Sequence, residues 1–284
     1  MLENSNPLNK YFRQPSIYIS LPSGNTYPPH VIETTQTGEL AVMPMTAKDE
    51  IKFKTPDALM NGQGVVDVIQ SCIPSIKDAW QIRRYDIDTI LIAIRIATYG
   101  ETMDINYNIP TIKDQGSHTL NLPAILDEIK ADKIVNDIKL KDGLVVQTRP
   151  LTYRDMTQTS LQTFQQQKLY TTVQNSNLSD EEKVKKFDES FKSLTELNVN
   201  VLLKNIEKII TPDGTVVIDP VQIKEFVDNA NASLITEIQD ELIKIRVQGA
   251  VKPLKLKATE EQIKKGAPTT YEVPVTFDTA NFFV

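Results

Sequence analysis

Histidines, cysteines and paired acids are the side chains through which a protein most often holds metals, attacks carbonyls or moves protons. This chain of 284 residues has two histidines, His30 and His118, and one cysteine, Cys72. His30 follows Pro28-Pro29 in a loop, where a solvated side chain is the simplest reading. His118 lies at the start of a return strand with no cysteine nearby to complete a zinc set, so it reads as structural. Cys72 shares helical spacing with Val65, Val66, Val68, Ile69 and Ile73 and reads as a small core residue. The acids with the most defined setting are Asp49 and Glu50, after Thr46, and Asp155, after Thr152. In a first helical turn, such acids suit the positive end of the helix dipole, which explains them as well as contact with a partner does. A hydrolase would need paired carboxylates or a nucleophile with its base at a cleft, and acids scattered over helix faces do not supply that. No cofactor, metal or phosphate-binding set is expected.

Those residues must be positioned by helices and short strands. From Gly38 to Gly100 a short apolar run ends at Val42, Pro44 forbids its continuation in a sheet, and Thr46 caps a helix that begins at once. The Thr46 box lacks the usual reciprocal Glu. Pro56, Asn61-Gly62 and Gly64 interrupt the pattern before it restarts toward Cys72 and Ile73. Asp86 and Asp88 then introduce a run from Ile87 to Ala97 too apolar for a helix with a broad wet face. It reads as a buried central helix stopped by Gly100.

Composition bounds the rest. Hydrophobic residues make up 40%, charged residues 24% and aromatic residues 7% of the chain, as in a globular protein. A formal charge of -6 argues against a surface that follows phosphate backbones, so nucleic acid is not an expected partner. One cysteine allows no intrachain disulfide. No run approaches the roughly 18 apolar residues of a membrane span, and the N-terminus lacks a signal-peptide core. The expectation is a soluble protein, without membrane contact, that stays in the compartment where it is made.

Along the chain, residues 1–15 read as a flexible tail. Ser16 to Tyr27 reads as a hairpin or strand-turn around Pro22-Ser23-Gly24. Residues 103–122 form two strands across a turn from Pro110 to Ser117, and Ala124 to Asp137 a short amphipathic helix. A second cycle then begins: Pro150-Leu151-Thr152-Tyr153-Arg154-Asp155 matches Pro44-Met45-Thr46-Ala47-Lys48-Asp49 in the order Pro, apolar, Thr, any residue, basic, Asp. Such a match allows two related halves divided near residue 140. Residues 153–175, rich in Gln and Thr, suggest a long exposed helix. Ser179 caps another, with Val184, Phe187, Phe191, Leu194, Leu197 and Val201 as its apolar stripe, running to about Ile210. A turn at 211–214, a short strand at 215–218 and helices from Pro220 and Ser233 follow. Residues 252–277 read as a final two-strand unit, and Phe282-Phe283-Val284 as an apolar tip that is either tucked in or presented to a neighbour.

In order along the chain, Leu21-Pro-Ser-Gly24, Met43-Pro-Met-Thr-Ala-Lys-Asp-Glu50, Pro56-Asp-Ala-Leu-Met-Asn-Gly62, Cys72, Ile92-Ala-Ile-Arg-Ile-Ala-Thr-Tyr-Gly100 and Phe277-Asp-x-x-Asn-Phe-Phe283 resemble the baseplate hub and hub-assembly proteins of T-even-type tailed bacteriophages. Similar proteins often carry cysteine pairs in two ribbon-like segments. The turns here, Pro110 to Ser117 and Ala258 to Pro268, have none, so no metal site is carried over. The resemblance implies a non-enzymatic structural or assembly protein of a contractile tail, present in the host cytoplasm during assembly and in the baseplate of the virion. Its partners would be other baseplate, hub or tail proteins, with a homo-oligomer also compatible. A transient assembly chaperone absent from the virion and a tail-associated hydrolase are the rival readings. The expected fold is α+β and mostly helical, with small antiparallel units: an N-terminal hairpin and two ribbon-like hairpins without metal. Its units would be 16–140 and 141–284. Candidate contact residues are Met45, Asp49, Glu50, Leu151, Asp155, Phe282 and Phe283.

Overall fold

The computed structural model describes residues 6–24, 26–33, 35–54, 62–131, 134–174 and 178–275. Phe282, Phe283 and the stretch from Pro56 to Asn61 lie outside these residues.

The organising element is helix α3 (Arg84–Tyr99), in which Ile87, Ile90, Leu91, Ile92, Ala93 and Ile94 are buried in succession. Consecutive burial means the helix is covered on every side, as its apolar density requires. Gly100, at φ +97°, ends it in a conformation that L side chains rarely adopt. Around it sit strands β1 (Ile17–Ile19) and β2 (Leu40–Val42), helix α1 (Ala47–Phe53), helix α2 (Gln63–Cys72) and helix α4 (Leu122–Ala131). Their apolar residues form the first core, from Ile19 to Ile129.

β1 pairs with β2 antiparallel, Tyr18 opposite Ala41. The expected return within 16–27 does not occur. Residues 21–27 serve instead to cover the start of α3: the Ser23 N–H and the Tyr27 hydroxyl donate to the Asp86 carboxylate at 2.9 and 2.6 Å. Burial raises the Asp86 pKa against these donors, and burial followed by the Asp86 charge raises that of Tyr27.

Strand β3 (Thr102–Asn108) pairs with β4 (Gln115–Asn121), so the turn is shorter than expected and His118 stands mid-strand opposite Ile105. Helix α4 stops at Ala131 rather than 137, because Asp137 opens strand β5 (Asp137–Lys139), whose Ile138 belongs to a second core. A four-stranded antiparallel sheet then runs β5, β6 (Val145–Thr148), β7 (Ile206–Ile210) and β8 (Val216–Val217). Helices α7 (Pro220–Asn229) and α8 (Ala232–Arg246) cover it through Ile223, Val227, Ile238 and Leu242.

Between β6 and β7 the chain makes a long helical hairpin, α5 (Tyr153–Gln174) and α6 (Asp180–Asn205). Ser179 and Glu182 form a reciprocal capping box at the start of α6. The helix does not continue to Ile210, since Ile206 and Ile209 are needed as inward residues of β7. Its apolar stripe is only partly covered. Ser190, against Gln166 of α5, is buried, while Val184 is 58% and Phe191 73% exposed. The seam facing α5 is therefore partly polar, and part of the apolar stripe faces solvent.

The last hairpin joins β9 (Leu254–Lys257) and β10 (Thr270–Val273), with helix α9 (Glu260–Lys264) in the connection. It packs on the β3–β4 hairpin, forming a third core of Ile109, Ala267, Tyr271 and Val273. Tyr107 and Tyr271 meet at 6.1 Å between ring centroids, and Lys265 Nζ lies 2.6 Å from Asp114 Oδ2. Packing between ribbons distant in sequence thus closes both.

Candidate functional site: two capped helix starts on the central helix

The two matching segments have the same local structure. After β2, Pro44 ends the sheet and Thr46 caps α1: its N–H and hydroxyl donate to Asp49 Oδ2 at 2.9 and 2.7 Å, while the Asp49 N–H donates back to Thr46 Oγ1 at 3.2 Å. Aspartate thus closes the box in which Glu was missing. After β6, Pro150 ends the sheet and Thr152 caps α5, donating from N–H and hydroxyl to Asp155 Oδ2 at 3.2 and 2.8 Å and accepting from the Asp155 N–H at 3.2 Å.

These two caps bracket α3. The Met45 N–H donates to Thr98 Oγ1 at 3.0 Å, and the Tyr99 hydroxyl donates to Glu50 Oε1 at 2.9 Å, both at its C-terminal end. At the other end, the Arg84 N–H donates to the Leu151 carbonyl at 2.9 Å, and the Tyr153 N–H to the Ile82 carbonyl at 2.7 Å. Arg83 and Thr152 form a bridge of extended backbone. Met45 and Leu151 are buried, as is Asp49, whereas Glu50 and Asp155 remain partly accessible.

Each capping acid also meets a cation. Arg13 NH1 lies 3.2 Å from Asp49 Oδ2 and donates to the Pro44 carbonyl at 2.9 Å. Arg13 NH2 donates to the Ser71 carbonyl and hydroxyl at 2.7 and 2.9 Å, and the Ser71 hydroxyl in turn donates to Asp49 at 3.0 Å. This network ties the segment before β1 to both α1 and α2. Lys204 Nζ, at the end of α6, lies 3.1 Å from Asp155 Oδ1. Burial alone would raise both aspartate pKa values. Donation from Thr46, Ser71 and Arg13 outweighs it at Asp49, and donation from Thr152 and Lys204 outweighs it at Asp155, so both are lowered.

Chemically, this arrangement holds carboxylates ionised and engaged. Burial, followed by the Asp49 charge, pushes the Cys72 thiol up to about 12, the opposite of what an attacking thiolate needs. Among the described residues no group of three or more His, Cys, Asp or Glu could hold a metal, and no helix is long and apolar enough to cross a membrane. Sequence reading did not anticipate Arg13 and Ser71 as partners of Asp49, nor Lys204 as partner of Asp155. They lie 22 to 49 residues away in sequence, beyond any local pattern.

Comparison with the curated proteins gives no match, and comparison with the solved structures gives none either. A family model described as T4 bacteriophage base plate protein matches residues 16–265, which include both capped helix starts, the β3–β4 ribbon and the helical hairpin. The chain therefore belongs to the T4 bacteriophage base plate protein family.

Proposed function

We propose that the protein is a structural or assembly component of the baseplate hub of a contractile tail, acting through protein–protein interfaces and without bond chemistry. One observation carries this reading. The acids at the two ends of α3 are consumed by internal hydrogen bonds, whereas large apolar side chains stand exposed on the α5–α6 hairpin. Phe164, Val184 and Phe191 are exposed there, beside a groove of about 530 Å³ lined by Phe187, Phe191, Leu194 and Thr171. Exposed apolar patches of this kind mark association surfaces more often than catalytic ones.

On this reading Met45, Asp49, Leu151 and Asp155 act from inside, by holding α1 and α5 against α3. Glu50 belongs to the surface at the end of α3, and Phe282 and Phe283 remain proposed contact residues. We assign the boundary between the two units near residue 140, where the buried residues of the first core have ended, at Ile129, and those of the second have begun, at Ile138. Partners are other baseplate, hub or tail proteins, or further copies of the chain, with neither nucleic acid nor membrane involved. The protein would work in the host cytoplasm during assembly and remain in the tail.

Mass spectrometry of purified tails tests this directly. Stoichiometric presence is expected; absence from finished tails, with recovery on assembly intermediates, would instead establish a transient chaperone. A strictly monomeric protein that captures no tail component from infected cells would overturn both. Release of cell-wall fragments by the purified protein, lost on replacing one polar residue, would favour a hydrolase.

A further inference from the structure

Arg95, on α3, belongs to neither the caps nor the apolar cores. The residue is 8% exposed, and its Nε and NH1 nitrogens are enclosed without a hydrogen-bond partner. Its guanidinium lies 4.6 Å from the centroid of the Tyr99 ring. Among the described residues no carboxylate pairs with it. Glu50, at the same end of α3, accepts instead from the Tyr99 hydroxyl at 2.9 Å. An enclosed cation with unmet donors is one of the least favourable arrangements a fold can hold.

Its shape indicates what would satisfy it. The guanidinium fork matches a carboxylate in either of two edge-on geometries, Nε with NH2 or NH1 with NH2, and each edge contains an unmet donor. A bridging water could accept from these donors but would bring no negative charge. Tyr99 is 38% exposed, so the ring over Arg95 lies at the surface. Resting on the baseplate reading above, we propose that Arg95 beneath Tyr99 is the receptor for one acidic side chain of a partner baseplate protein, whose carboxylate engages the guanidinium on assembly once the exposed Tyr99 ring swings aside from it. The fold thus carries an unfavourable cation that the assembled state neutralises.

The test uses the full chain, isotopically labelled, and follows the Arg95 Nε–Hε resonance, assigned by its loss in Arg95→Lys. The probes are N-acetyl-glutamate methylamide, its glutamine counterpart, and sodium chloride at matched ionic strength. The resonance is expected to shift with the glutamate probe alone. No shift, or an equal shift with the glutamine probe, overturns the proposal, the latter marking a site satisfied by any neutral acceptor. In parallel, Arg95→Met keeps the aliphatic stem and removes the charge. Its urea midpoint is expected to equal or exceed that of the wild type, while its incorporation into tails falls by about tenfold or more, as for loss of a desolvated charge pair. A midpoint well below wild type, or undiminished incorporation, counts against the receptor role. Entry of the wild-type chain into tails is scored separately, so failure of the baseplate reading and failure of this site are distinguishable.

Discussion

Replacing Asp49 with alanine tests the account of the capped helix starts most directly. Its Oδ2 accepts from the Thr46 N–H, the Thr46 hydroxyl, the Ser71 hydroxyl and Arg13 NH1, at 2.7 to 3.2 Å. Losing a cap interaction costs about 1 kcal/mol. Each hydrogen bond to a charged acceptor contributes roughly 1.5–3 kcal/mol, and a buried donor left without a partner is penalised further. Arg13 is a quarter exposed and keeps its bonds to Pro44 and Ser71, so its share is the smallest. The total is about 3 kcal/mol. With a urea dependence of about 3 kcal/mol per molar for a chain this long, the midpoint should fall by about 1 M. Trp80, the single tryptophan, packs against the first core, so its fluorescence reports the unfolding of that core. Asp49→Asn, which keeps an acceptor oxygen without the charge, should lose less, and a cycle with Arg13→Met should show a coupling of about 1 kcal/mol. The pH dependence has a defined sign. A carboxylate whose pKa is lowered by folding stabilises fully above its unfolded value near 4, and that contribution disappears as pH falls through the folded value. The wild-type and Asp49→Ala stabilities should therefore converge in acid. A difference below about 0.5 kcal/mol at neutral pH, or one that persists unchanged into acid, would refute the network's role.

Asp155→Ala should cost less, about 1–2 kcal/mol by the same urea assay, because Asp155 and Lys204 are more exposed than the Asp49 cluster. Gly116→Ala should loosen the packed ribbons, since an added Cβ would sit 2.5 Å from the Tyr107 ring that faces Tyr271; faster amide exchange confined to 102–121 and 254–273 would show it, and unchanged exchange would contradict it. Cys72 should resist a disulfide reagent at mildly alkaline pH in the folded protein and react at once in urea, because its thiol is buried and pushed up to about 12. Phe191→Ser should leave the stability measured in urea within about 0.5 kcal/mol of wild type yet reduce incorporation into tails, whereas normal incorporation would remove the hairpin face from the interface.

Much of this molecule is written locally. The density of isoleucines from Ile87 to Ile96 determines a helix covered on all sides, because no orientation could keep so many apolar residues from water otherwise. Pro44 and Pro150 determine where strands end, and the threonines that follow determine where helices start. Both are short-range effects of a missing N–H and of a side-chain oxygen within reach of the next turn. Tertiary structure decided what short range cannot encode. Ile206 to Ile210 carries a pattern that suits a helix or a strand, and pairing with Val145 to Thr148 selected the strand. Val184 and Phe191 belong by spacing to the apolar stripe of a helix, yet α5 alongside presents Gln166 to Ser190 and leaves them in solvent. Asp49 and Asp155 were legible as helix-start acids, but their cations were not, because Arg13 and Lys204 reach them only once distant segments have packed together. Contacts that depend on the path of the whole chain carry no signature in any window of it, and the chemistry at both ends of the central helix is made of such contacts.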